Sequence, residues 1–343
     1  MQYLKMLNES FPVRRSREQK AAFRAYVKEE LQAKGLDVRV ETTKDGKNEN
    51  LIVGDPTSAR VVLTAHYDTP AASLFPNMMI PRNLLLFWIL QLLPVFVILA
   101  LSFGGGYVLS LPFGGDDRAF LIGFLVLYYG IYFLGFRVFQ NRHNHNDNTS
   151  GVSVLLSVAA RLNAEEFRET ALIFFDNEEL GKKGSKAYFK DHRDEMKERL
   201  VLNFDCVGYG DQVIFIARKG AEAHEGYRRL CTTDAEEGRY QVHFYPAKGS
   251  ESNSDYKSFP CGVGCMTCKK GAFGVMYTPR IHTAWDTIAD EENIAYLTEY
   301  VFRFLKETRT QNECRMQNAE CRMQNERRMQ NECRMQNEVF SKA

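Results

Sequence analysis

Apolar and polar positions along the chain follow two short periods, and a long apolar stretch interrupts them. From 16 to 34, apolar side chains at Ala22, Phe23, Tyr26, Val27 and Leu31 recur near helical spacing, and Gly35 follows as a stop. Runs of β-type residues then predict strands at 38–42, 50–54 and 60–65. After Asn146 the pattern predicts a helix at 150–162, a strand at 170–175, a helix at 181–190, and strands at 200–205 and 212–217. A helix over 221–232, strands near 241–245 and 263–268, and a final helix from Glu291 complete it. Strands alternating with helices predict an α/β fold, with a mostly parallel mixed sheet sandwiched between helices. Open sheets of this type place their sites beyond the carboxyl ends of the strands. His66, the stretch Asp176–Glu179 and Asp205 stand there.

The stretch between the two blocks is different in kind. No charge occurs from Asn83 to Gly115 or from Ala119 to Phe136; only Asp116, Asp117 and Arg118 break the run. A membrane helix needs about 20 apolar residues. Residues 83–137 therefore read as a transmembrane helical hairpin, with spans at about 84–102 and 119–137 and a loop around 102–118. Pro94 in the first run is better tolerated in a membrane helix than in a soluble one. Residues 1–82 and 138–310 are expected to form one discontinuous domain. The segment 311–343 repeats RMQN at 315, 322, 328 and 334 and reads as a low-complexity tail.

Composition narrows the functional classes. The net charge of +1 gives no basic footprint, so no nucleic-acid partner is expected. Three of the eight cysteines lie in the repetitive tail. The polar N-terminus MQYLKMLNESFPVRRS shows no charged-then-apolar leader, which favours a reducing cytosolic setting. Cys261, Cys265 and Cys268 overlap an apolar strand and offer fewer than four ligands, so they read as core thiols.

Five short stretches carry chemistry: TAHYDTP with His66 and Asp68, HNDNTSG with Asp147, FFDNEELGKKGS with Glu178 and Glu179, NFDCVG with Asp205, and RIHTAWDT with His282 and Asp286. Each alone is weak. Together they supply two imidazoles and several carboxylates with no thiolate, a donor set suited to zinc. Two metals close together need a carboxylate between them and a free carboxylate to take a proton from water. Asp68, two residues beyond His66, is placed to orient that imidazole. Of the adjacent Glu178 and Glu179, one can bind metal while the other serves as base.

In this order the five motifs resemble those of the di-zinc aminopeptidase family of the MH clan (peptidase family M, number twenty-eight), which also includes glutamate carboxypeptidases and glutaminyl cyclases. The resemblance covers about 10–80 and 140–310. It implies two Zn2+ per chain: His66 and Asp205 on one, Glu179 and His282 on the other, and Asp147 bridging them through a cis peptide to Asn148. Glu178 would be the general base for a metal-bound water, and a peptide cleaved at its N-terminal bond would be the substrate. Ser254-Asp255-Tyr256 resembles the family's Ser-Asp-His segment. The apolar insert, where the family has a short connection, is a departure. So is Ile281, which stands where some relatives carry an oxyanion-stabilising tyrosine; Tyr256 and Tyr277 are the alternative candidates. His143 and His145 read as a polar loop leaving the insert. Competing readings are a glutaminyl cyclase-type transferase with one zinc and a catalytically silent binding module.

Because His66 precedes the insert and Asp147 follows it, both soluble blocks must lie on one side of a bilayer. Arg82, Arg137 and Arg142 on the flanks of the hairpin outnumber the single Arg118 in its loop. The positive-inside tendency then predicts a two-span protein held in the lipid bilayer by the hairpin, with its catalytic domain in the cytoplasm.

Overall fold

The computed structural model describes residues 2–163, 165–234 and 238–307, so the repetitive segment at 311–343 lies outside the described residues. Ten strands form one mixed sheet: β1 Val38–Thr42, β2 Glu49–Val53, β3 Val61–His66, β4 Met78–Met79, β5 Thr170–Phe175, β6 Leu200–Phe204, β7 Gln212–Ala217, β8 Gln241–Pro246, β9 Gly262–Lys270 and β10 Met276–Pro279. The order is β1-β2-β5-β3-β6-β9-β10-β4, and β7 pairs with both β9 and β8. The middle strands β5, β3, β6 and β9 run parallel. Every residue of β3, β5 and β6 is buried, as expected for continuous apolar runs covered on both faces.

Alternate side chains of these strands feed two cores. Leu63 and Ala65 of β3 and Leu172 and Phe174 of β5 join one, and Val62, Ile173 and Phe175 join the other. The first core also takes Leu7 from α1 (Gln2–Ser10) and Phe23, Val27 and Leu31 from α2 (Arg17–Gln32). Ser16 caps α2 in a reciprocal box with Gln19, and Gly35 turns the chain at φ +80°. α1 is unforeseen in the hydrophobic pattern because only Leu4 and Leu7 of it are buried core residues. The helix expected over 221–232 is two, Lys219–Glu222 and Glu225–Thr232, and His224 caps the second by accepting the Gly226 N–H.

The apolar insert folds as two antiparallel helices, α3 (Leu84–Ser110) and α4 (Asp117–Phe136), both long and apolar enough to cross a membrane. Most of their large side chains, such as Leu93, Phe96, Val126 and Phe133, are exposed. The loop expected at 102–118 is much shorter, because α3 continues through Gly104–Gly106. A Cβ on Gly106 would sit 2.9 Å from the Phe124 nitrogen and 3.1 Å from the Phe120 oxygen, so its absence lets the helices touch. The turn is confined to Leu111–Phe113 and two glycines at positive φ, Gly114 and Gly115. Asp116 then caps α4, accepting from the N–H groups of Arg118 and Ala119.

Candidate metal centre

Three neighbouring parallel strands deliver polar residues at their carboxyl ends. His66 ends β3, Glu178 and Glu179 follow β5, and Asp205 follows β6. Asp147 arrives from the segment His145–Ser150, which leads into α5 (Gly151–Ala159), and His282 comes from the loop after β10. All of the expected ligands meet. His66 Nε2 lies 3.3 Å from Asp147 Oδ1 and 3.6 Å from Asp205 Oδ1. His282 Nε2 lies 2.9 Å from Asp147 Oδ2 and 3.4 Å from Glu179 Oε2. Asp147 thus turns one oxygen to each of two donor triads, His66–Asp147–Asp205 and Asp147–Glu179–His282. The Asp147–Asn148 peptide is cis.

The surrounding backbone is built to hold these positions. Asp68 accepts the N–H of Glu178 at 2.9 Å and that of Glu179 at 3.2 Å. The His66 ring contacts the Asp68 backbone oxygen at 3.1 Å, with the carboxylate at 3.6 Å. Asp68 therefore orients the glutamate pair as much as the imidazole, a role hidden in sequence because 110 residues separate it from Glu178. Asp286, quoted among the motifs, accepts the N–H groups of Asn146 and Asp147 at 3.1 and 2.9 Å. Arg14 is fully buried and unsignalled by any motif. Its guanidinium donates to the Tyr67 carbonyl at 2.5 Å, to the Phe11 carbonyl at 2.7 Å and to Thr149 Oγ1 at 3.1 Å, tying the N-terminal segment to both ligand loops.

The donor chemistry fits cations. Glu179 Oε1 and Asp205 Oδ1 are buried with no hydrogen-bond donor among the described residues. Buried carboxylates in that condition are costly without a counter-charge. Titration behaviour of the protein groups points the same way. Burial opposes protonation of His282, but Glu179 and Asp147 outweigh it and push its pKa up to about 10. For His66, burial is likewise overridden by Asp147, Asp205 and Asp68, and the pKa rises well above its usual value. Burial raises Glu179 to about 8 against the attraction of His282. Burial tends to raise Asp147 too, yet His282 and His66 hold it well below the usual carboxylate range. Burial is also the main cause that lifts Glu178 well above that range. The imidazoles here stand in for positive charge that a metal pair would carry.

Two sequence candidates lie elsewhere. Tyr256 is buried in a separate core with Ile214 and Met266, and its hydroxyl donates to the Ser252 carbonyl at 3.1 Å. Neither Tyr256 nor Tyr277 lines the cavity of about 320 Å³ that contains Glu178, Asp205 and His282. Asn77, Gln91 and Asn253 are polar residues that do line it. His143 and His145 join no donor group among the described residues. Cys261, Cys265 and Cys268 are buried free thiols.

Residues 142–304 match the model of peptidase family M28. No curated protein sequence matches the chain. Among solved structures, the chain is similar to the LapA aminopeptidase of Legionella pneumophila at 13% identity and a TM-score of 0.53, covering 89% of this chain and 68% of that one. It is also similar to a Zn-dependent exopeptidase from Parabacteroides distasonis, at 16% identity, TM-score 0.53 and coverage of 88% and 95%. A glutaminyl cyclase from Porphyromonas gingivalis gives 15% identity, a TM-score of 0.54 and coverage of 89% and 96%. At these identities the likeness is one of fold.

Proposed function

From the match of residues 142–304 to peptidase family M28, we propose that the chain is a membrane-anchored, zinc-dependent aminopeptidase of that family. The observation that carries it is the pair of donor triads sharing Asp147, one oxygen to each side. His66 and Asp205 would hold one zinc, Glu179 and His282 the other, with Asp147 between. When bound, zinc supplies a Lewis acid that acidifies water and polarises a carbonyl. The chain's own part is proton handling and positioning. Glu178 is held by its N–H on Asp68, lines the cavity, and lies outside both triads that share Asp147 while standing close to His66 and Glu179. It would take the proton from the attacking water and pass it to the leaving amine. α3 and α4 support anchoring by their length and exposed apolar surface, with the body in the cytoplasm by the arginine distribution.

A glutaminyl cyclase would need one zinc, and a silent binding module would need lost donors; two complete triads favour neither. Zinc-loaded protein assayed against aminoacyl anilides and against an N-terminal glutaminyl peptide separates the readings. About two zinc equivalents and anilide turnover are expected. A single equivalent with cyclisation only would overturn the aminopeptidase reading.

A further inference from the structure

The hairpin does more than lie beside the peptidase body. On α3, Phe87, Gln91, Val95 and Ile98 fall on one face at steps of four, four and three. Phe87 and Gln91 line the cavity that holds Asp147, Glu178, Glu179, Asp205 and His282. Val95 and Ile98, with Tyr128, Tyr132 and Phe136 of α4, line an adjoining cavity of about 330 Å³ whose remaining lining is Arg137, Glu179 and His282. Glu179 and His282 are therefore common to both spaces. Phe87 and Ile98 are also the only large apolar side chains of α3 that are buried.

This wall is fixed to the body. Gln91 Nε2 donates to Asn77 Oδ1 at 3.1 Å and to the Met78 carbonyl at 3.3 Å. Phe136 stacks on Phe75 with ring centroids 5.1 Å apart, and the Leu74 N–H donates to the Gly135 carbonyl at 2.9 Å. Arg82, just before α3, donates to Ser250 Oγ at 2.7 Å.

We infer that the basal turns of α3 and α4 form the specificity-determining wall of the substrate site, accepting a bulky aromatic or branched aliphatic side chain next to the scissile amide. This rests on the aminopeptidase reading for the identity of the bond cleaved. The occupant follows from chemistry: a group held against Val95, Ile98, Tyr128 and Tyr132 is desolvated by apolar and aromatic surface, while His282 and Glu179 lie on the same cavity's lining. A small side chain leaves that apolar surface unfilled, and an acidic one that met Arg137 would give up its hydration against the aromatic wall.

The test uses the full-length, zinc-loaded chain in detergent with alanyl, leucyl and phenylalanyl p-nitroanilides. Wild type should favour the leucyl and phenylalanyl substrates in kcat/KM. Val95→Phe, which narrows the cavity, should cut the phenylalanyl-to-alanyl ratio by about tenfold or more. Phe133→Ala, on the exposed side of α4, should leave that ratio where it was. An unchanged ratio in Val95→Phe, or an equal shift in Phe133→Ala, overturns the inference. A second measurement is independent of turnover. In Val95→Cys, maleimide modification of the peptide containing residue 95, read by mass spectrometry, should be slowed by phenylalaninamide and not by glycinamide. Protection without anilide hydrolysis would leave the wall standing and remove the aminopeptidase reading. Hydrolysis without protection would do the opposite.

Discussion

The carboxylate of Asp68 accepts the backbone N–H of Glu178 at 2.9 Å, so a residue at the end of one central strand sets the position of a carboxylate leaving its neighbour. The same carboxylate takes the Glu179 N–H, which makes Asp68 a clamp on both members of the pair. Asp68→Asn keeps one acceptor but sets an amide N–H against one of the two backbone N–H groups. Turnover should fall about 10- to 100-fold, with zinc content measured in parallel. An Asp68→Asn enzyme with wild-type kcat would remove this clamp from the account.

Glu178 and Glu179 should separate cleanly on substitution. Glu178→Gln cannot accept a proton, so kcat should drop on the order of 10²–10⁴-fold while zinc stays bound. Glu179→Gln should instead lose zinc, read by metal analysis after dialysis. Near-full activity of Glu178→Gln at saturating zinc is the result that contradicts the assignment.

Removal of zinc should leave a fold that weakens as pH rises. His282 moves from 6.5 to about 10 on folding and Glu179 from 4.5 to about 8. In both cases the folded chain holds the proton more tightly than the unfolded chain, so stability falls with pH across roughly 4.5 to 10. The melting temperature of chelator-treated protein should therefore decline between about pH 5 and pH 9. Zinc must displace those protons, so its stabilising effect should grow over the same range. A chelated protein whose Tm rises with pH would show that these groups do not control it.

Topology can be read by thiol labelling in intact cells, with other reactive cysteines replaced. Phe113→Cys is suited to the hairpin tip, being 69% exposed and outside the glycine turn. It should react with a membrane-impermeant maleimide, whereas Lys44→Cys should react only after lysis. The reverse pattern would place the body on the other side.

Legibility in sequence followed the range of the interaction. The strands at 170–175 and 212–217 agree with the structure to the residue, because a short apolar run between polar turns specifies a buried strand locally. The ligand candidates were visible as residue types at strand ends, and the structure brings His66, Asp147, Glu179, Asp205 and His282 together. What stayed hidden depends on distant partners. Arg14 looks like an ordinary basic residue until Tyr67 and Thr149 surround it. Tyr256 looks available until its burial against Gly264 takes it from the cavity. The hairpin announced itself as oily, yet nothing in its periodicity said that one face would meet Glu179 and His282.

Depth is the consequence of that shared face. From Leu99 to Phe113 the first helix and its turn rise about 22 Å, short of the roughly 30 Å of hydrocarbon in a bilayer. A hairpin that crosses completely must therefore set Val95 and Ile98, and the rim of the cavity with them, at the edge of the hydrocarbon. For such a hairpin, a substrate would diffuse in a plane rather than in bulk water, and its partitioning into the membrane would set how often it reaches His282.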